Sequence, residues 1–255
     1  MASHPYELLL LDLDGTLVRM DGTISPAVSD AVLKASATLS VSIATGREKH
    51  DAIRYAAQLG LTAPQISDNG ALIFQPATGE PLWSAPLGEY LVNEIGRHLL
   101  ELEVATIATH AGGTVPPDAN ISSFNTIRVS ALDLEEEEAD VLVSHFNRCA
   151  GLHVVKVFLP YNRLWAVDLT REGVSKGGAL RKLAAMSGVT PAQVVSAGDS
   201  YNDLDMLQSS GLRIVMGGAP EELMAVADYV APTAEEDGLA LAIEEFILPL
   251  MRGSG

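Results

Sequence analysis

The sequence predicts an α/β fold: a parallel-sheet core with helices on its faces, interrupted by an α+β insert. Three observations predict it. Short apolar runs alternate with helix-period segments up to about residue 74, and again after residue 170. Between them the pattern changes to helices and alternating strands of the kind an antiparallel sheet uses. And 255 residues, 47% of them apolar, suffice to bury one large core or two modest ones. The expected division is a core of residues 1–78 and 166–255 and an insert of residues 79–165.

In order along the chain, "ELLLL" (7–11) reads as a buried strand, with Gly15 following it. "SPAVSDAVLKASATL" (25–39) opens with Ser25 as N-cap and Pro26 at the first helical position. "SVSIATG" (40–46) is a second buried strand, and "REKHDAIRYAAQLG" a helix stopped by Gly60. "APQISDNGALIF" gives strand, Asn69-Gly70 turn and strand. "QPATGEPLWSAPLG" is rich in Pro and Gly and reads as a connection.

The insert then reads as a helix (89–103), a strand in "VATIATH", a loop in "AGGTVPPDANIS" and a strand in "NTIRVSAL". A helix follows, opened by acids that suit its positive end, with Glu135–Glu138 on a solvated face. "LHVVKVFL" and "RLWAVDLT" pair around a Pro160-Tyr161-Asn162 turn. The first rhythm returns with a helix from "SKGGAL" to Gly188, the strand "QVVSAGDS", a short helix "NDLDMLQSSG", the strand "LRIVMG", the helix "APEELMAVA", a brief strand "DYVA" and a closing helix.

A formal net charge of −17 argues against nucleic acid and anionic membrane surfaces as partners, yet leaves open a small anionic substrate in one pocket. Cys149 is the single cysteine, so no intrachain disulfide or cysteine-held zinc is available. Glu7 and Asp12 bracket the early apolar run, and Glu244 and Glu245 break "GLALAIEEFILPLM". These features point to a soluble protein of a reducing, cytoplasmic compartment.

Parallel sheets place ligands at the carboxyl ends of their strands. Asp12 and Asp14 follow the first strand, and Thr45-Gly46 the second. Asp199 follows "VVSAG", with Asp203 four residues on, and Lys176 opens a helix after another strand. Topology thus converges carboxylates, a hydroxyl and an ammonium on one pocket. Clustered carboxylates repel unless a cation joins them, and all-oxygen ligation suits Mg²⁺. With Thr45 and Lys176 facing a phosphoryl group, the set meets the demands of phosphoryl transfer. Each residue also has a plainer reading: Asp-Gly as a turn, Thr45 as a strand-end hydroxyl, Lys176 as solvated, Asp199 and Asp203 as helix-dipole acids.

In order, "DLDGT", "SIATGR", the lysine of "GVSKGGAL" and "GDSYNDLDM" resemble the four motifs of the haloacid dehalogenase-like superfamily. "SDNGALI" and "REGVSKGGAL" narrow the resemblance to its Cof-type sugar phosphatase branch, and core motifs and insert position together cover essentially the whole chain. The resemblance implies a Rossmann-like core with an inserted α/β cap that closes over the site and selects the leaving group. It implies an Mg²⁺-dependent phosphatase of small phosphorylated metabolites, sugar or polyol phosphates foremost, with phosphoglycolate and sucrose- or glycerate-linked phosphates left open; a monomer or a homodimer is expected. Asp12 would be the nucleophile forming an aspartyl-phosphate, and Asp14 the general acid and base. Thr45 and Lys176 would hold phosphoryl oxygens. Asp12, the Asp14 main-chain carbonyl and Asp199 would bind Mg²⁺, with Asp203 as further ligand or support. Asn202 would touch the phosphoryl group, and Gly15 would turn the chain beneath the site.

Gly46 and Asn69 count among the substrate-binding candidates, the Asn69-Gly70 turn meeting either substrate or cap. Arg47 either reaches substrate or pairs with a neighbouring acid. Arg128, Lys156 and Arg163 of the insert are cations able to greet an anion, with a solvated surface as the plainer reading. The six histidines show no metal spacing, Cys149 reads as inert, and Trp83 and Trp165 as packing. Two other functions fit the same scaffold: a phosphotransferase or phosphomutase, and a non-catalytic protein that binds phosphate esters.

Overall fold

The computed structural model describes residues 5–115, 125–159 and 162–252. The chain divides into two compact units, Met1–Leu82 with Ser175–Gly255, and Trp83–Val174.

The first unit begins with β1 (Leu8–Leu11), α1 (Pro26–Ser36), β2 (Ser40–Ile43) and α2 (Lys49–Gln58). β3 (Gln65–Ser67), a tight turn at Asp68–Gly70 and β4 (Leu72–Phe74) follow, then β5 (Pro81–Ser84), through which the boundary after Leu82 runs. The second unit holds α3 (Glu89–Glu101), β6 (Thr106–His110), β7 (Gly113–Val115), β8 (Thr126–Leu134), α4 (Glu136–Phe146), β9 (Leu152–Leu159) and β10 (Leu164–Arg171). The first unit resumes with α5 (Lys176–Met186), β11 (Val194–Gly198), α6 (Leu204–Ser209), β12 (Leu212–Met216), α7 (Glu221–Met224) and β13 (Tyr229–Ala231). It closes with α8 (Gly238–Leu241), a π-helical stretch at Ala242–Ile247 and α9 (Leu248–Arg252).

In the first unit five parallel strands run in the order β13-β12-β11-β1-β2. β1 lies between β11 and β2, with Leu11 beside both Ala197 and Ile43. A strand covered on both faces has no polar side, which is why β1 is four consecutive buried leucines. Leu9 and Leu11 pack with Val28, Val32 and Ile243 in one apolar cluster. Ser25 caps α1, its Oγ accepting from the Val28 N–H at 3.1 Å, ahead of Pro26. The chain steps from β1 outward to β2, then after the second unit re-enters on the opposite side of β1 at β11 and continues that way to β12 and β13. The sheet's switch point, where α/β folds bind ligands, therefore falls at the end of β1.

Two expectations for this unit need correction. β3 does not join the parallel sheet as a full strand; it touches it through one parallel bridge, Ala44 to Ile66, and pairs antiparallel with β4. The cause is the turn: Asp68 and Asn69 sit in the left-handed region at φ 55 and 54, reversing the chain at once. The segment 75–88, expected to be a plain connection, contains β5.

In the second unit a five-stranded sheet runs in the order β7-β6-β8-β10-β9, antiparallel at each pairing. Val92, Ile95 and Leu99 of α3 and Ala139, Leu142 and Phe146 of α4 cluster with Ala108, Val129, Ala131, Val167 and Leu169 of the sheet. His98 and His145 stack with ring centroids 3.9 Å apart. The unit boundaries lie at 82/83 and 174/175, not at 78/79 and 165/166. The second difference arises because β10 pairs with β9 along its whole length and with β8 over most of it, so a cut at residue 165 would split one strand between units. β7 occupies part of the expected loop 111–122. Residues 116–122 of that loop, Pro160 and Tyr161 of the expected turn and the terminal 253–255 lie outside the described residues.

Arg128 is also corrected. It alternates with Val129 of the apolar cluster and so lies on the other sheet face, yet it is buried rather than solvated. Its Nη1 lies 3.6 Å from the Asp168 carboxylate, which also accepts from Ser130 Oγ at 2.6 Å. Lys156 folds back onto α4, 2.5 Å from Asp140, and lies 4.4 Å from the Trp165 ring centroid. No helix among the described residues is long and apolar enough to cross a membrane.

Candidate active site

Every core residue singled out from the sequence belongs to the first unit. Asp12 directly follows β1 and stays in register, its N–H donating to the Ala197 carbonyl at 2.9 Å. Asp199 directly follows β11, the neighbouring strand. Asp203 ends the short 3₁₀ turn Tyr201–Asp203 that leads into α6. Lys176 is the first residue of α5. It opens that helix after a strand, as expected from the sequence, the strand being β10 of the antiparallel sheet.

The carboxylates of Asp12, Asp199 and Asp203 offer oxygens that all lie within 4.8 Å of one another. Lys176 enters the group, its Nζ 2.5 Å from Asp12 Oδ1 and 2.6 Å from Asp203 Oδ1. Lys176, Asp12 and Asp203 are 1%, 4% and 0% exposed, so water screens little of their interaction. Burial alone would push the Lys176 ammonium toward neutrality, but Asp12 and Asp203 outweigh it and raise its pKa, keeping it charged. Burial, then the nearby Asp203 charge, pushes the Asp12 carboxyl well above its ordinary range despite Lys176. The same two causes push Asp199 up to about 7.

With all groups ionised, three carboxylates and one ammonium leave two negative charges in a largely buried cluster. Asp199 Oδ1 is buried with no hydrogen-bond partner. An orphaned buried carboxylate oxygen is costly, and an all-oxygen donor set with two excess charges fits one hard divalent cation. Asp203 is already engaged at both oxygens: Oδ2 accepts from the N–H groups of Asp199 and Ser200, each at 3.1 Å. Its geometry suits a support for Lys176 and the Asp199 turn more than a direct ligand.

Asp14 leaves this cluster. Its carboxylate, more than half exposed, takes a two-toothed grip from Arg47, Nε to Oδ2 at 2.9 Å and Nη2 to Oδ1 at 2.5 Å. Arg47 thus pairs with a neighbouring acid, one of its two expected roles. Thr45 is buried, and its Oγ1 accepts from the Arg47 N–H at 3.0 Å; a hydroxyl that accepts there still has its own hydrogen to donate. Gly46 allows close approach, since a Cβ on it would lie 2.9 Å from Asn69 Oδ1. Asn202 donates to Asn69 Oδ1 at 3.2 Å and accepts from Ser200 Oγ at 2.6 Å. The Asn69 turn is thereby tied to the Asp199–Asp203 turn.

Gly15 does more than turn the chain. At φ +76, a Cβ there would stand 2.0 Å from Asp199 Oδ2. Gly15→Ala is expected to displace the Asp199 carboxylate and weaken divalent-cation binding about 10- to 100-fold by titration calorimetry, with the far-ultraviolet circular dichroism unchanged. Two residues escaped the sequence reading. Ser175 caps α5, its Oγ accepting from the Gly178 N–H at 3.1 Å, and Asp205 accepts from the Gly177 N–H at 3.0 Å. Ser at an N-cap just before "KGGAL" was a readable signal; Asp205 carried none, because its partners lie 28 and 30 positions away.

The parallel α/β unit carries its acidic cluster at the end of its central strand, and its named relatives are phosphatases, so the chain is an enzyme of the phosphoric monoester hydrolase class. The family is given by comparison: the model of the haloacid dehalogenase-like hydrolases matches residues 9–137 and 115–243, and the chain belongs to that family, in its Cof-type branch. Hydrolases of this family typically need a divalent metal ion. The chain is 28% identical to the 5-amino-6-(5-phospho-D-ribitylamino)uracil phosphatase YitU of Bacillus subtilis (strain 168), over 96% of this chain and 99% of that one. It is 26% identical to a phosphoglycolate phosphatase of Methanothermobacter thermautotrophicus, over 94% and 98%. Among solved structures, the subclass IIB sugar phosphatase BT4131 shares its fold with a TM-score of 0.79 at 22% identity, over 95% of this chain and 99% of that one.

Proposed function

We propose that this chain is a Mg²⁺-dependent phosphatase that hydrolyses small phosphorylated metabolites, sugar or polyol phosphates foremost, through an aspartyl-phosphate on Asp12. One observation carries the reading: Asp12 and Asp203 grip a single buried ammonium, and the Asp199 carboxylate clusters with theirs while its Oδ1 oxygen has no partner. Asp12, Asp199 and the main-chain carbonyl of Asp14 would hold the cation, with Asp203 in support. Mg²⁺ bound there would neutralise the excess charge and polarise a phosphoryl oxygen.

An Asp12 carboxylate oxygen attacks phosphorus in line, and the bond from phosphorus to the leaving oxygen breaks. Lys176 and Thr45 donate to the equatorial oxygens, where charge spreads in the transition state. Asp14 protonates the leaving oxygen, then takes a proton from the water that cleaves the acyl phosphate and frees Asp12. Arg47 orients Asp14 through its two-toothed pair, and Gly46, Asn69 and Asn202 complete the phosphoryl cradle.

The relatives named for a ribitylamino-uracil phosphate and for phosphoglycolate motivate the test panel. Inorganic phosphate release is measured on hexose 6-phosphates, pentitol 5-phosphates and phosphoglycolate, in Mg²⁺ and in EDTA. Turnover of at least one ester, falling by about 100-fold or more in EDTA and restored by Mg²⁺, is the expected result. Undiminished turnover in EDTA would sink the metal-assisted mechanism.

A further inference from the structure

We propose that Asp205 is a positioning residue for Lys176, acting on phosphoryl transfer without touching the substrate; the inference rests on the phosphatase reading above. Lys176 is a long flexible side chain, and a buried ammonium is useful at the site only where its Cα is fixed. Its backbone is gripped from two sides. On one side the Asp205 carboxylate, from α6, reaches both residues flanking Lys176: Oδ2 accepts from Ser175 Oγ in a short hydrogen bond, and Oδ1 accepts from the Gly177 N–H at 3.0 Å. The contact is close enough to exclude any side chain at 177, where a Cβ would lie 2.5 Å from the Asp205 carbonyl oxygen. On the other side Gly70 presses on Ser175, whose carbonyl oxygen would stand 2.2 Å from a Cβ at position 70. The segment 175–177 is thus wedged between the Asn69-Gly70 turn and α6.

The consequence lies in what α6 and its leading turn carry. Asp203 holds the far end of Lys176 at 2.6 Å, and Asp205, two residues later, holds its near end. One short segment therefore fixes the ammonium at both ends relative to Asp12. Orientation supplied this way lowers the barrier only if it is kept to within a fraction of an ångström; a displacement of about 1 Å costs on the order of 100-fold in rate.

The test compares Asp205→Asn, which keeps the volume and one acceptor, with Asp205→Ala and Ser175→Ala. Each is assayed on an ester that the wild-type chain turns over, beside its thermal midpoint. The expected result is a fall in kcat of about 10- to 100-fold for Asp205→Ala, smaller falls for Asp205→Asn and Ser175→Ala, and KM changed by less than about threefold. In a Lys176→Met background, Asp205→Asn is expected to lower the residual single-turnover rate no further, because the group it positions is gone. An equal loss in both backgrounds, or full kcat in Asp205→Ala, overturns the inference. Failure of the wild-type chain to release phosphate from any ester would instead overturn the phosphatase reading, so the two failures are distinguishable.

Discussion

Asp12→Asn is expected to abolish turnover of every ester that the wild-type chain hydrolyses, with kcat falling by about 10⁴-fold or more, in the range seen when a nucleophile is removed. The substitution is nearly isosteric. The amide oxygen can still accept from Lys176, whose second partner Asp203 is untouched, so the geometry around the ammonium survives. What disappears is the anionic oxygen that the proposed mechanism uses to attack phosphorus. Removal of one of three clustered carboxylates also relieves repulsion, so the thermal midpoint in metal-free buffer should hold or rise. Acid-quenched wild-type protein mixed with substrate is expected to carry an acid-stable acyl phosphate on Asp12, and the variant none. A variant within tenfold of wild-type activity and equally stable would remove Asp12 from the nucleophile's place.

The site was largely legible because its parts sit where regular structure ends. Four leucines can only be a covered strand, and the carboxylates after such a strand must emerge at the sheet's ligand-binding edge. The serine and glycines around Lys176 likewise mark a helix start. What stayed hidden depends on pairings that no local pattern encodes. The guanidinium of Arg47 could reach substrate or acid equally well until the structure placed Asp14 beside it. Arg128, in the alternating run "NTIRVSAL", could face either side; only the alignment of Ser130 with Asp168 on β10 made that face a buried polar one. The boundary after residue 165 failed for a similar reason. "LWAVDLT" has the same apolar character whether it ends an insert or opens a core, and it is the pairing with β9 that decides.

Lys176→Met gives the second large effect, on stability as well as rate. Methionine fills the same buried volume but leaves Asp12 and Asp203 facing each other and Asp199 with no cation among them. Breaking a buried pair by removing one partner costs about 3–5 kcal/mol, roughly 6–20 °C of thermal midpoint in a chain this long. The loss should depend on pH in a definite sense. Asp12 and Asp199 have folded pKa values raised above their unfolded value, so each contributes stability below the unfolded pKa and loses it as pH rises through the folded one. For Asp199 that window runs from the ordinary carboxylate range up to about 7. Lys176 lies on the other side of the balance: its raised pKa keeps it charged throughout this window, offsetting the carboxylates in the wild-type chain. The variant lacks that offset, so its midpoint in EDTA should fall more steeply between pH 5 and pH 8 than the wild type's. A divalent cation competes with the same protons, so stabilisation by Mg²⁺ should grow with pH in both proteins; at about a hundredfold excess over Kd it amounts to roughly 2.7 kcal/mol. Parallel midpoint curves for the two proteins in EDTA would mean that the ammonium does not neutralise this cluster. The variant's turnover should meanwhile fall by about 10³-fold or more, because the donor that the proposed mechanism aims at the phosphoryl oxygens is gone, whatever its stability at the pH of assay.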